Sequence, residues 1–504
     1  MLRLLPTVAI FSWAATVAIG PVARADDDGT PQTWQTRRRA DEERRADEHT
    51  SAPPPKPRQP PLWPEWRHGL AEQTDLASSF EAHHLVDVRV SIGYLHRETR
   101  GQLKREVDSA VPAQDTALVF RDLVFARSRD ELSLRAEIGL FRDLMFHAEL
   151  PIVLFEQTSL SYDRSASPCT LPPAPNATCV APANSSTVAD GIAPGSGFDA
   201  SHGGGGTTDP LLFRGARRGA AGGSGADVLD TFSFGLSWAP LSQRRDPAKP
   251  TWVLSIEPRL SVGTIRAFDR AAPDANHGVA DGVHRIAFRT AVSRRIGRFE
   301  PYFGLFYLLP IARSDSAFVD SGAAEKIKDP QQQAGALFGA EIIALERGRP
   351  DWRVAIDVRG RLEGHFAGRG YSEAWEMFAG SPALRCDAMS NPACDATMTK
   401  NGYQDKPFSG VTAIDAYATL GVELAVDALL TRWFRLRAGF AYARDQSHLI
   451  TGDDVGTPLM PGGRVSMPAE FNPAYRPVFD QVGRRFLVDN VDTFDFRLTA
   501  QARF

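Results

Sequence analysis

The chain ends in the stretch Phe494–Phe504, FDFRLTAQARF, and this stretch decides the fold. Its even-numbered residues are all apolar, whereas its odd-numbered residues are polar or charged. Successive side chains of a β-strand point to opposite faces, so this period of two gives one apolar face and one polar face. Such a strand can face lipid on one side and an aqueous lumen on the other. The stretch therefore predicts a transmembrane β-strand, and an edge strand of a soluble sandwich is the alternative.

The same alternation recurs from residue 85 to the end of the chain. In one clear segment the apolar Ile356 and Val358 alternate with the charged Asp357 and Arg359. We expect a β-strand in each of twelve segments: 85–97, 117–140, 143–160, 228–240, 250–265, 282–297, 300–315, 331–346, 351–366, 409–427, 433–448 and 488–504.

The connections between these segments alternate in length. Long connections such as 161–227 and 367–408 are followed, one strand later, by short ones such as 241–249 and 428–432. Barrels of outer membranes have short periplasmic turns and long extracellular loops. The pattern predicts an all-β fold over residues 85–504, a 12-stranded antiparallel transmembrane β-barrel. Because the number of strands is even, the first strand begins and the last strand ends on the periplasmic side.

Aromatic residues provide a check that is independent of the alternation. Such residues are enriched where a barrel meets the membrane interfaces, whereas a soluble sandwich has no reason to collect them at one end of its strands. We expect a periplasmic girdle made by residues beside the short turns: Phe141, Trp238, Trp252, Phe299, Tyr302, Trp352, Trp433 and Phe434.

The residues before the barrel have two different compositions. Residues 1–25 combine the basic Arg3, an apolar run and small residues up to Ala25, which is typical of a secretory signal peptide. Residues 26–80 are highly charged and then rich in proline, so they cannot bury a core. We expect a disordered periplasmic tether over residues 26–80.

Two short features resemble known protein families. A terminal phenylalanine that closes such a strand resembles the assembly signal of Gram-negative outer-membrane β-barrel proteins, and Phe504 is the corresponding residue. This resemblance implies the cell outer membrane as the location, and outer-membrane lipid and the barrel assembly machinery as partners. The hairpin Glu137–Pro151, EIGLFRDLMFHAELP, resembles one in outer-membrane transporters of the phenol-degradation and long-chain fatty-acid transport families. That resemblance implies passive uptake of small solutes, hydrophobic ones included.

The polar faces of the predicted strands carry acids and arginines in nearly equal numbers. Balanced charge favours mutual pairing across the lumen, and a polar path for a solute is the functional alternative. The candidate lumen residues are Asp87, Arg89, Arg135, Glu137, Glu149, Glu257, Arg259, Arg289, Glu341, Asp357, Arg359, Arg361, Asp415, Glu423, Arg435, Arg437, Asp495 and Arg497.

Composition and motifs limit the function further. The formal charge of −4, which becomes −6 without residues 1–25, argues against a nucleic-acid partner. The sequence has no Gly-x-Ser-x-Gly motif and no spaced set of metal ligands, so we expect no enzyme, cofactor or metal. We expect a channel or transporter for passive uptake of small solutes. A structural or surface-interaction barrel with a closed lumen and partner-binding extracellular loops is one alternative, and an outer-membrane hydrolase is another.

The four cysteines form two close pairs in long connections. Each pair predicts a local disulfide, because exported proteins favour such bonds, and a metal site is the alternative. Mass spectrometry of unreduced peptides should show Cys169 bonded to Cys179 and Cys386 bonded to Cys394. Removing one pair should loosen its loop and leave the stability of the barrel nearly unchanged, because the strand ladder carries the fold. Cross-linked pairs or four free thiols would refute the pairing.

Overall fold

The computed structural model describes thirteen stretches of the chain. These are residues 71–80, 85–107, 118–164, 180–194, 211–269, 276–318, 325–348, 351–384, 408–431, 433–460, 462–466, 470–472 and 474–504. All four cysteines, and the predicted signal peptide, lie outside the described residues.

The described residues are mostly β-strand. The strands are β1 (Val88–Val107), β2 (Leu118–Phe141), β3 (Leu144–Tyr162), β4 (Leu211–Arg214), β5 (Thr231–Leu241), β6 (Thr251–Ser261), β7 (Val283–Ser293), β8 (Phe299–Ala312), β9 (Gln333–Gly348), β10 (Asp351–His365), β11 (Gly368–Tyr371), β12 (Val411–Ile414), β13 (Tyr417–Thr431), β14 (Phe434–Asp445), β15 (His448–Leu449) and β16 (Phe486–Arg503).

Twelve of these strands close into an antiparallel barrel, as the sequence predicts. They pair with their neighbours in chain order, and β1 pairs with β16 to complete the ring. The seam ends at the last residue of the chain: the Phe504 amide donates to the Val88 carbonyl at 2.8 Å, and the Val88 amide donates back at 3.2 Å. The short strand β4 pairs with β3, the short strand β15 pairs with β16, and β11 pairs with β12 outside the ring.

The outer surface of the barrel is an apolar belt. Leu420, Val422 and Leu424 of β13 are 63%, 61% and 55% exposed, and their neighbours in sequence point into the lumen. Most of the expected aromatic girdle is also exposed on this surface beside the short turns: Phe141, Trp238, Trp252, Phe299, Trp433 and Phe434. Tyr302 was wrongly assigned to the girdle, because it points inward and donates a hydrogen bond to Asp357.

Three of the differences from the predicted boundaries change the account of the barrel. The strand β1 continues to Val107, ten residues past the predicted end, because both neighbouring strands pair with that extension. The segment 409–427 is not one strand: Val411–Ile414 pairs with β11, and the barrel strand begins at Tyr417. Residues 71–79, which the sequence assigned to the tether, lie inside the barrel, as described below.

The long connections fold back over the extracellular end of the barrel, and we call their described residues the extracellular cap. The cap contains the short helices Ser186–Ala189, Trp375–Gly380 and Pro477–Asp480 and the 3-10 turns Gly219–Ala221, Gly225–Val228 and Pro382–Leu384. None of the helices in the described part of the chain has the length and hydropathy needed to cross a membrane. A hydrophobic core joins the cap to the extracellular ends of the strands. It contains Leu103, Leu123, Phe125, Leu160, Ile192, Leu212, Phe378, Leu384, Phe408, Ile450, Phe479 and Phe486.

The two faces of β16 should respond differently to a charge. Leu498 is exposed on the apolar belt, whereas the adjacent Thr499 faces the lumen beside Arg437. Leu498→Lys should lower the free energy of unfolding by about 2–4 kcal/mol, because the ammonium enters hydrocarbon. Thr499→Lys should cost far less, because its side chain reaches water. Equal losses in a chemical unfolding titration in lipid vesicles would show that the alternation does not face lipid.

Candidate functional site

The inward faces of β10, β13 and β14 form one ion-pair cluster. Arg359 lies directly opposite Glu423 in the ladder, and its guanidinium is 3.3 Å from that carboxylate. Arg437 approaches the carboxylates of Asp357 at 2.6 Å and of Glu423 at 3.1 Å. Opposite charges on facing positions stabilise a strand pair: alternation turns these groups inward, and the register of the strands brings them together. The cluster is nearly closed to solvent, and the hydroxyl of Tyr302 bonds to Asp357 at 2.6 Å.

A segment from before the barrel completes this cluster. Residues 71–79, which we call the periplasmic plug, lie in the lumen at the end with the short turns. The Glu72 carboxylate of the plug is 2.8 Å from the Arg359 guanidinium and 3.4 Å from that of Arg437. The plug therefore supplies an acid that the sequence analysis did not place in the lumen.

Asp75 is the most heavily paired group of the plug. Its carboxylate lies 3.2 Å from Arg89 of β1, 3.1 Å from Arg435 of β14 and 3.0 Å from Arg503 of β16. The side chain is 4% exposed, so these three arginines provide the charge that compensates its burial. The plug is thereby fixed to the strands on both sides of the barrel seam.

The rest of the plug reaches the opposite wall. Leu76 and Ala77 pack against Met145, Ala239 and Val253 of β3, β5 and β6. Hydrogen bonds to other strands join Thr74 to Ser293 at 2.7 Å, the Asp143 amide to Ser78 at 3.2 Å, and the Ser79 hydroxyl to the Gly139 carbonyl. Because its contacts lie on opposite walls, the plug crosses the periplasmic mouth.

A second cluster lies on the inner faces of β2, β3, β6 and β7. It contains six of the candidate residues together with His147, which bonds to Glu257 at 2.9 Å. The pairs are Arg135–Glu137 at 2.7 Å, Arg135–Glu149 at 3.1 Å, Arg259–Glu257 at 2.7 Å and Arg289–Glu257 at 3.5 Å.

A chamber of about 460 Å³ lies between the upper barrel wall and the extracellular cap. Its charged lining consists of Arg97, Arg127, Arg129, Glu131, Glu156, Asp230, Arg266, Asp281, Arg285, Arg369 and Glu373. Tyr371, Tyr417 and His448 also line it, and Tyr417 stacks on His448 with ring centroids 3.7 Å apart.

Most charges of the chamber are paired within its wall. Arg97 makes two 2.7 Å bonds to Asp495, the bidentate geometry that suits guanidinium and carboxylate. Arg129 bridges three acids at once, with distances of 2.7 Å to Glu131, 2.8 Å to Glu156 and 2.9 Å to Asp230. Further pairs are Arg266–Glu156 at 3.4 Å, Arg369–Asp453 at 3.1 Å and the contact between Arg285 and Asp281.

The remaining candidate residues lie in different surroundings. Arg361 pairs with Glu363, Asp87 accepts from the Ser78 amide, and Arg497 is exposed in the lumen. Glu341 is fully buried in the wall, and neither of its carboxylate oxygens has a hydrogen-bond partner among the described residues. Asp415 was wrongly placed in the lumen, because it precedes β13 and its amide bonds to Leu449 in the extracellular cap.

Sequence reasoning missed the acids of the plug. Glu72 and Asp75 lie in AEQTDLASS, residues 71–79, which has no proline and no basic residue. This composition differs from the charged and proline-rich chain before it, and the difference was the available signal. Asp427, which bonds to Arg435 at 2.8 Å, shares the inner face with Glu423 but was missed at the last residue of the predicted segment, whereas the strand continues to Thr431.

Comparisons with known proteins give a coarse result. No family model and no curated protein matches the chain. Among solved structures, an outer membrane channel from Pseudomonas putida F1 is 9% identical over 86% of this chain and 99% of its own, with a TM-score of 0.35. The outer membrane protease OmpT from Escherichia coli is 7% identical over 83% and 96%, with a TM-score of 0.25. A FadL homologue from Pseudomonas aeruginosa is 7% identical over 83% and 90%, with a TM-score of 0.27.

The protein is an outer-membrane β-barrel. Its own closed ring of strands and its apolar belt carry this conclusion. Lipid-exposed backbone must be fully paired, which a closed ring achieves. Within the described residues, no group of three or more His, Cys, Asp or Glu side chains is arranged to hold a metal ion.

Asp75→Asn should loosen the plug. The change removes the charge that three arginines share, and a hydrogen bond to a charged group contributes about 1.5–3 kcal/mol. Amide hydrogen exchange in residues 71–79 should become at least about tenfold faster. Asp495→Asn is the matched control, because it breaks the Arg97 pair in the upper lumen and should leave exchange in the plug unchanged. Unchanged exchange in Asp75→Asn would show that the ion pairs do not hold the plug.

Proposed function

We propose that the protein is an outer-membrane channel for passive uptake of small hydrophilic solutes, closed at its periplasmic mouth by the plug. The observation that carries the proposal is a lumen lined with charge from the plug to the chamber, with a chamber large enough for a small solute. Pockets for small ligands typically have volumes of about 300–1,000 Å³.

The chemistry of the lining favours hydrophilic over hydrophobic solutes. Arginines and carboxylates surround the chamber, and the walls above the plug carry further ion pairs. A hydrophobic solute would displace water from these charges without replacing its hydrogen bonds, which is unfavourable. The resemblance of Glu137–Pro151 to transporters of hydrophobic molecules therefore does not extend to the lining of this lumen.

The plug has the character of a reversible closure. Its contacts are mostly ion pairs and hydrogen bonds, such as those of Glu72 and Asp75, and water can replace each of them when the segment leaves. Its apolar contacts are few, because Leu76 and Ala77 are the plug residues in the small cluster with Met145. A closed scaffold would be better served by an apolar plug, which water could not solvate.

The extracellular cap supports the second candidate, a surface-interaction barrel with a closed lumen. The core around Phe378, Phe479 and Phe486 buries these rings completely, with Phe378 and Phe479 stacked at 5.0 Å. Such a core holds loops in one arrangement, which suits recognition of a partner. Conductance separates the two candidates.

Planar-bilayer recordings should show a small conductance with little selectivity for the full chain. Deleting residues 71–79 should raise the conductance, because it opens the periplasmic mouth. The double variant Glu72→Gln/Asp75→Asn should also raise it and shift the reversal potential toward anions, since Arg359, Arg435 and Arg437 lose acids that face them.

A deletion of equal length, residues 41–49, is the matched control and should leave the currents of the full chain unchanged. Heat-dependent gel mobility shows that each variant is a folded barrel. If the folded full chain and the folded plug deletion are both electrically silent, the channel proposal fails and the surface-interaction barrel takes its place.

A further inference from the structure

Two charged groups of the chamber differ from the others. Arg127 of β2 and Glu373, next to β11, both line the chamber, yet neither forms an ion pair or hydrogen bond with any described residue. Both are half-buried, and both act electrostatically on the phenol of Tyr417. They therefore share one neighbourhood, with an arginine on the barrel wall and a carboxylate on the cap.

The part of the cap that roofs the chamber also carries two hydroxyls without a hydrogen-bond partner among the described residues. Tyr371 and Ser372 line the chamber, and their Oη and Oγ atoms are buried without a hydrogen-bond partner among the described residues. Burial raises the pKa of Tyr371 to about 12, so the phenol keeps its proton and can donate a hydrogen bond. Its ring is held by Trp375 at 5.0 Å and by Phe318 at 5.7 Å, which fixes the direction of the hydroxyl.

Buried polar groups without partners are costly, and proteins satisfy them with water or a ligand. The other chamber arginines differ in this respect: Arg97 and Arg129, for example, are already neutralised by adjacent carboxylates. One guanidinium and one carboxylate remain to be satisfied. Their complement is one anionic and one cationic group, with polar atoms between them for the hydroxyls.

We infer that the chamber binds a small zwitterionic solute, with its anionic group on Arg127 and its cationic group on Glu373. This inference rests on the proposed function, because it names the class of solute that passes through the same lumen. Tyr371 and Ser372 supply hydrogen bonds to the polar atoms between the charged ends. A free dipeptide belongs to this class, and the chamber volume of about 460 Å³ accommodates it.

Equilibrium dialysis of the refolded full-length chain tests the inference with three ligands that differ in charge. These are alanyl-alanine, its N-acetyl form, which lacks the cation, and its C-terminal amide, which lacks the anion. Alanyl-alanine should bind at least about tenfold more tightly than either blocked form, because each blocked form lacks one of the two charged hydrogen-bonding groups.

The variants assign each end of the ligand. Arg127→Gln should abolish the preference for alanyl-alanine over the amide, because the carboxylate loses its partner. Glu373→Gln should abolish the preference over the N-acetyl form. The matched controls are Arg100→Gln and Glu98→Gln, which alter a pair on the outer face of β1, and both should bind as the unchanged chain does. Equal binding of the three peptides, no binding, or unchanged preferences in both chamber variants would overturn the inference.

Dialysis and bilayer recording separate this inference from the channel proposal. A chain that conducts and does not bind alanyl-alanine refutes the zwitterion site alone. A chain that binds alanyl-alanine with the expected preference while it and the plug deletion are silent refutes the channel and keeps the site. Because the side chain of Arg127 forms no ion pair or hydrogen bond with a described residue, its variant should retain the heat-dependent gel mobility of the full chain.

Discussion

The whole structure depends on the backbone pairing that closes β1 on β16. Hydrocarbon offers no hydrogen bonds, so each peptide group of a membrane-crossing strand must pair with another strand. The two bonds between Val88 and Phe504 complete that pairing at the end of the chain. In the closed ring, successive side chains face opposite sides of the barrel wall. The inward-facing side chains can therefore be polar or charged where neighbouring side chains compensate them.

The charge of the lumen follows from that separation. Arg359 and Glu423 are neighbours because the ladder places them opposite each other, and Arg97 and Asp495 are neighbours for the same reason. Charges compensated across adjacent strands leave the centre of the barrel available to something else. At the periplasmic mouth the plug occupies it, and below the cap it forms the chamber.

Different interactions close the two ends of the barrel. The cap buries large apolar side chains such as Phe479, each of which contributes about 1.5–3 kcal/mol by leaving water. The plug is held by ion pairs, whose Coulomb attraction is offset in large part by the loss of hydration. A closure of the second kind opens at lower cost, so the channel proposed above opens at its periplasmic mouth.

The sequence by itself determined the architecture, because a period of two has one meaning once it recurs in segments joined by alternately long and short connections. It also assigned most lumen charges, since the alternation of side chains along a strand is enough to place Asp357 and Arg437 on the inner face. That alternation could not reveal Asp75, because it lies on no strand. Ion pairs with three arginines that are distant in sequence hold it in the lumen. It also could not distinguish Arg97, which is paired, from Arg127, which has no ion-pair partner among the described residues, because partners come from separate strands and from the cap. Those contacts depend on strand stagger and loop placement, and only the tertiary structure decides them.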